Sequence, residues 1–144
     1  MGPFNVTPSM CREREVRVRI ASSADIVAVR QHGRALASQA GFSSSHLTII
    51  ATAISEVARN IVDYAEEGEM VLTLIHASDR HGVHIIATDS GPGIADLQSA
   101  MRDGFSSSAS LGLGLPGSRR LMDEFDIASE VGKGTTITMT KWVA

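Results

Sequence analysis

The sequence predicts an α+β fold, an α/β sandwich whose mainly antiparallel sheet is covered by helices. Three observations lead there. One period-two segment near the start is followed by two helical stripes with no strand between them. Two pairs of branched apolar runs are each joined through a short polar or glycine-rich turn, as hairpins are. The 144 residues fit one layered core, since domains usually take about 100–200 residues.

Taken in order, residues 1–14 mix Gly2, Pro3, Pro8 and the run Arg12-Glu13-Arg14 without periodicity, so they read as a disordered lead-in, with a single domain over 15–144. Val16, Val18 and Ile20 alternate with Arg17 and Arg19, the pattern of a half-buried strand. Ser22 or Ser23 can cap the next helix, whose apolar positions Ile26, Val29, Leu36 and Ala37 run on to Gly41, a residue suited to a left-handed stop. A second helix spans Ser45 to about Ala65 on the stripe Leu47, Ile50, Ala51, Ile54, Val57, Ala58 and Ile61. Met70 to Ala77 and Val83 to Thr88 are expected as a hairpin turning at Asp79-Arg80-His81-Gly82. Asp89-Ser90-Gly91-Pro92-Gly93 then breaks the strand, and a short helix is expected over Ala95–Arg102, with a small, polar loop from Asp103 to Ser110. A helix from about Leu113 to Glu124 precedes two closing strands, Ile127–Val131 and Thr135–Val143, joined at Gly132-Lys133-Gly134.

Composition narrows the function classes. A net charge of −3 and a pI near 5.9 argue against bulk electrostatic binding to nucleic acid or anionic lipid. Val71–Ile75, among the longest apolar stretches, is far short of the roughly 20 residues of a membrane span, and the first fifteen residues have no signal-peptide core, so the expected address is cytoplasmic. The one cysteine, Cys11, gives no disulfide, redox pair or metal motif. The histidines form no ligand cluster, and His81 and His84 are expected at the surface. Eight of the thirteen glycines lie between Gly91 and Gly134, and that clustering directs the search for a site.

Glu56 and Asn60 are four apart on the second helix, so both side chains leave one face. A carboxylate there can take a proton from an attacking hydroxyl, and a carboxamide oxygen can complete the shell of a Mg²⁺ held by phosphates. The plain alternative is a solvated helix face, with Arg59 and Asp63 nearby. Asp89 ends an apolar strand before two glycines. There it can accept a hydrogen bond from the exocyclic amine of a purine, with Gly91 and Gly93 allowing close approach, or it can simply open a tight turn.

Gly112-Leu113-Gly114-Leu115-Pro116-Gly117 satisfies the letters of a dinucleotide fingerprint without its parallel strand–helix–strand context. What remains is a glycine-led helix start that presents N–H groups to an anion, with Pro116 suited to the first turn. Gly132-Lys133-Gly134-Thr135 has half the letters of a phosphate loop and otherwise reads as a hairpin. Ser106, Ser107 and Ser108 suit a mobile lid better than a nucleophile, and Arg59, Arg119 and Arg120 stay open between phosphate, partner surface and solvent.

The order of these motifs resembles the GHKL family of ATP-binding proteins: Glu56-x-x-x-Asn60, Asp89-x-Gly91-x-Gly93, a loop to Gly112-x-Gly114, then Gly132-x-Gly134-Thr135. The finer text of residues 54–61, 89–94, 103–106 and 113–125 resembles the RsbT branch of the anti-sigma-factor kinases, over roughly residues 16–143. The resemblance implies a Bergerat-type fold binding ATP with Mg²⁺. By it, Glu56 is the catalytic base and Asn60 the Mg²⁺ ligand. Asp89 reads adenine with help from Thr135, Gly91 and Gly93 shape the pocket, and residues 103–112 form the lid. Gly112, Gly114 and Leu115 with their helix, together with Gly134, complete the ATP site. It further implies a protein serine/threonine kinase that phosphorylates STAS-domain proteins of the stressosome and, once released, activates a PP2C-type phosphatase or another output module. The alternatives are an anti-sigma factor kinase that sequesters a sigma factor and a nucleotide-gated binding module without turnover. A histidine-kinase fragment fits less well, because no phospho-acceptor helix hairpin is visible in the sequence.

Overall fold

In the structure, a computed structural model, the described residues are 10–93 and 114–143. They form five strands and three helices: β1 (Met10–Ile20), α1 (Ser23–Ala40), α2 (Ser44–Ala65), β2 (Gly68–Ala77), β3 (Arg80–Asp89), α3 (Gly114–Leu121), β4 (Glu124–Glu130) and β5 (Gly134–Trp142). The sheet is antiparallel throughout, in the order β1-β2-β3-β5-β4. The expected helix over 95–102, the loop 103–112 and Gly112 itself lie outside the described residues.

Alternation along the strands sorts their side chains onto two faces. Val18, Ile20, Met70, Leu72, Leu74, Val83, Ile85, Ala87, Ile137 and Met139 fall on one face and join the helices in the main core. From α1 come Val29, Leu36 and Ala37, and from α2 Ile50, Ala53, Ile54, Val57, Ala58 and Ile61, at the spacing of one helical face. Gly33 lets the two helices close up, because an added Cβ would run into Ile54. The other sheet face is also buried at its centre, at Val71, Thr73, Ile75, His84 and Ile86.

Helix ends follow local chemistry. The Asp25 carboxylate accepts from the backbone N–H groups of Ala21 (2.8 Å) and Ser22 (3.1 Å) at the start of α1. Gly41 closes that helix at φ 96°, donating its N–H back to Ser38. Ser43 caps α2 through His46 N–H at 3.3 Å. The α2–β2 joint is tight: Glu67 N–H donates to the Ala65 carbonyl at 2.8 Å around Glu66, a non-glycine residue at φ 69°.

Four expectations are corrected. Residues 10–14, assigned to the lead-in, belong to β1, because their backbone runs along β2 from Met10↔Ala77 to Arg14↔Leu74 with one irregularity at Arg12/Arg14. The β2–β3 turn is Ser78-Asp79, and Arg80, His81 and Gly82, expected within it, already belong to β3, where a Cβ on Gly82 would meet Trp142. The helix expected to reach Glu124 ends at Leu121. There Lys141 Nζ donates to the last carbonyl at 2.9 Å and Asp123 N–H turns to Thr140 O at 3.0 Å, so Glu124 opens β4. His84 is buried and bonds Thr140 Oγ1 through Nδ1 at 2.8 Å, since the register Thr73↔His84↔Thr140 places it in mid-sheet.

Candidate functional site

At one end of the sheet the register lines up Gly68, Asp89, Thr135 and Ser129 across β2, β3, β5 and β4. Alternation puts this row on the helix-facing side, two residues beyond Ala87 and Ile137. Glycine at 68 leaves the row open beside Asp89, because a side chain there would meet the Thr88 carbonyl and Ile61 of α2. Asp89 Oδ1 accepts from Gly91 N–H at 2.9 Å, the turn geometry available to any Asp. Its second oxygen takes no hydrogen bond among the described residues and remains able to accept one. Thr135 is buried, and its hydroxyl shares a 2.8 Å hydrogen bond with Ser129 Oγ, which also reaches Gly134 O at 3.1 Å.

The glycines around this row are needed by the protein's own backbone. A Cβ on Gly91 would come within 2.6 Å of the Ala65 Cβ at the end of α2. Gly93 (φ 79°) and Gly134 (φ 121°) would collide with the carbonyl oxygens of Glu130 and Asp89 respectively. The loop after β3 is further tied to the β4–β5 turn by Gly132 N–H donating to Pro92 O at 2.8 Å. Their smallness therefore draws α2, the end of β3 and the β4–β5 turn together around Asp89.

Helix α2 carries the second half of the site. Glu56 is only 8% exposed, so the solvated-face alternative fails for it. Arg59 Nη1 reaches Glu56 Oε1 at 3.2 Å, one turn on. Asn60 is half-buried on the next turn of the same face as Glu56. From Glu56 to Ala65, which abuts Gly91, the helix rises about 13 Å at roughly 1.5 Å per residue. Helix α3 packs along α2 and brings Gly114 and the buried Leu115 to its side. A groove of about 540 Å³ between α1 and α2 is lined by Arg30, Arg34, Ser55, Glu56 and Arg59, among others. The sequence reading assigned no role to Ser129, Arg30 or Arg34 and left Arg59 open. The i,i+3 spacing of Glu56 and Arg59 and the i,i+4 spacing of Arg30 and Arg34 were the available signals.

Among the described residues no group of three or more His, Cys, Asp or Glu could hold a metal ion. The half-buried Asn60 carboxamide could complete the shell of a Mg²⁺ ion carried by phosphate oxygens. Among the described residues no helix is long and apolar enough to cross a membrane.

Comparison with known proteins agrees with this fold. The histidine kinase-like ATPase domain family matches residues 19–141. The serine/threonine-protein kinase RsbT of Bacillus subtilis (strain 168) is 49% identical over 126 residues, covering 88% of this chain and 95% of the relative. An anti-sigma F factor of Caldanaerobacter subterraneus is 30% identical over 115 residues, 76% of this chain and 79% of the relative. Among solved structures, the RsbU and RsbW domains of a Mycobacterium tuberculosis protein superpose with a TM-score of 0.63 at 22% identity, over 90% of this chain and 32% of that longer one, which bears on the fold alone. An antiparallel sheet with the Asp89 row at one end, α2 laid over it and this run of matches have one reading: the chain belongs to the histidine kinase-like ATPase domain family, as an RsbT-like member.

Proposed function

We propose that the chain is a partner-switching serine/threonine kinase that uses Mg-ATP to phosphorylate STAS-domain scaffold proteins of the stressosome. Once released, it activates a downstream output protein such as a PP2C-type phosphatase. One observation carries the chemistry: a buried carboxylate, Glu56, stands one turn before Asn60 on a helix whose far end abuts the Asp89 row. That layout suits a nucleotide lying along α2, with its base at the sheet end and its phosphates toward Glu56. Asp89 accepts from the adenine amine, with Thr135 beside it. Gly91, Gly93 and Gly134 form the backbone of that pocket, and Gly114 and Leu115 at the start of α3, with Gly112 before them in the sequence, hold phosphate. Asn60 ligates Mg²⁺, which when bound neutralises phosphate charge. Glu56 takes the proton of the acceptor hydroxyl as its oxygen attacks the γ-phosphorus and the bond to ADP breaks. The working site of this reading is the cytoplasm.

Transfer of ³²P from ATP to a purified STAS partner tests it. Glu56→Gln should cut the rate by about 10²–10⁴-fold while nucleotide binding persists, and chelating Mg²⁺ should abolish transfer. No transfer by the wild-type chain to any STAS partner overturns the kinase reading. The anti-sigma F factor relatives support a second reading, sequestration of a sigma factor. Stable capture of a sigma factor rather than a STAS assembly would establish it.

A further inference from the structure

The groove between α1 and α2 holds three arginines that are not equivalent. Arg30 and Arg34, one turn apart on α1, make no ion pair among the described residues. Arg59 is committed, its guanidinium lying 3.2 Å from Glu56 Oε1. The two partners differ in exposure, 8% for the Glu56 side chain against 39% for Arg59, so a cation reaching in from the groove grips an almost buried carboxylate. Along the same wall the Thr52 and Ser55 hydroxyls each donate to a carbonyl of their own helix at 2.8 Å.

An exposed pair at this spacing adds little to the stability of a helix. Burial of one partner changes its consequence, because a carboxylate with little water around it takes its direction from the donors that touch it.

We infer that Arg59 is a positioning residue for phosphoryl transfer, holding the Glu56 carboxylate in the orientation from which it receives the acceptor proton. The inference rests on the reading of Glu56 as base. Misplacing a reacting group by about 1 Å can cost ~10²-fold in rate, so the effect belongs in kcat. A lysine keeps the charge but lacks the planar fork, so it restores part of the function.

The test compares wild type, Arg59→Gln, Arg59→Lys, Arg59→Ala and Glu56→Gln in steady-state transfer from Mg-ATP to the STAS acceptor, with ATP affinity measured separately. Arg59→Gln should lower kcat by about 10–100-fold, with the KM for acceptor and the Kd for ATP near wild type. Arg59→Lys should recover most of the loss, and added guanidinium ion should partly restore Arg59→Ala, which a merely misfolded variant would not allow. Unchanged or raised kcat in Arg59→Gln overturns the inference, as does a loss confined to the KM for acceptor, which would make Arg59 a docking residue. If Glu56→Gln transfers normally, the base assignment fails instead. If Glu56→Gln is dead and Arg59→Gln is not, only the role of Arg59 fails.

Discussion

At Gly134 one missing Cβ determines whether β5 can lie beside Asp89. Its φ of 121° is open to glycine, and a methyl group there would strike the Asp89 carbonyl oxygen. Gly134→Ala should therefore destabilise the fold by about 1–3 kcal/mol in urea unfolding and weaken ATP binding with it. Asp89→Asn should leave unfolding near wild type, since the amide oxygen can still accept from Gly91, yet lose the acceptor for the adenine amine. The two substitutions separate the shape of the pocket from its chemistry. The sequence disclosed which residues cluster here through the glycines and the spacing of Glu56 and Asn60. It did not disclose the burial of Glu56, which depends on how other elements pack against α2; the i,i+3 spacing to Arg59 was visible, but not that the pair closes on a buried carboxylate.

Helix ends were more legible than strand ends, and the difference is physical. The cap at Ser22 and the stop at Gly41 are set by a few neighbouring residues, so Gly41→Ala, with nothing within 4 Å of the added Cβ, should cost only the strain of a left-handed residue, about 1 kcal/mol. Ends set by partners distant in sequence were not legible, whichever element they close: β1 reaches back to Met10 because β2 offers an edge, and α3 stops at Leu121 because Lys141 and Thr140 meet its end. His84 was misplaced for the same reason: a polar residue close after the expected turn was assigned to the surface, and only the neighbouring strands reveal that its face is covered. Burial lowers the pKa of His84 below its ordinary 6.5, against a smaller upward pull from Glu124. The unfolded chain then binds the proton more readily, so this contribution to stability is full above pH 6.5 and shrinks as pH falls through the lowered folded value. Denaturation midpoints should drop between pH 7.5 and 5.5, and His84→Gln should flatten that dependence.

For the whole molecule, the candidate site belongs to no single element. It needs the end of the sheet, the length of α2 and the start of α3, and any ligand spanning them binds only the folded chain. Mg-ATP at about 100 times its Kd should thus add ~2.7 kcal/mol of stability, read as a rise in Tm that Asp89→Asn largely removes. The sheet order carries another consequence. β3 and β5 are hydrogen-bonded neighbours although α3 and β4 lie between them in the chain, so everything from Ser90 to Gly134 is an excursion closed by the Asp89↔Thr135 pair. Closure entropy grows only with the logarithm of loop length, about 0.6 kcal/mol for each doubling. The β3–β5 pairing is therefore only weakly penalised by the length of chain that separates its two strands, and the sheet can keep this order whatever that length is.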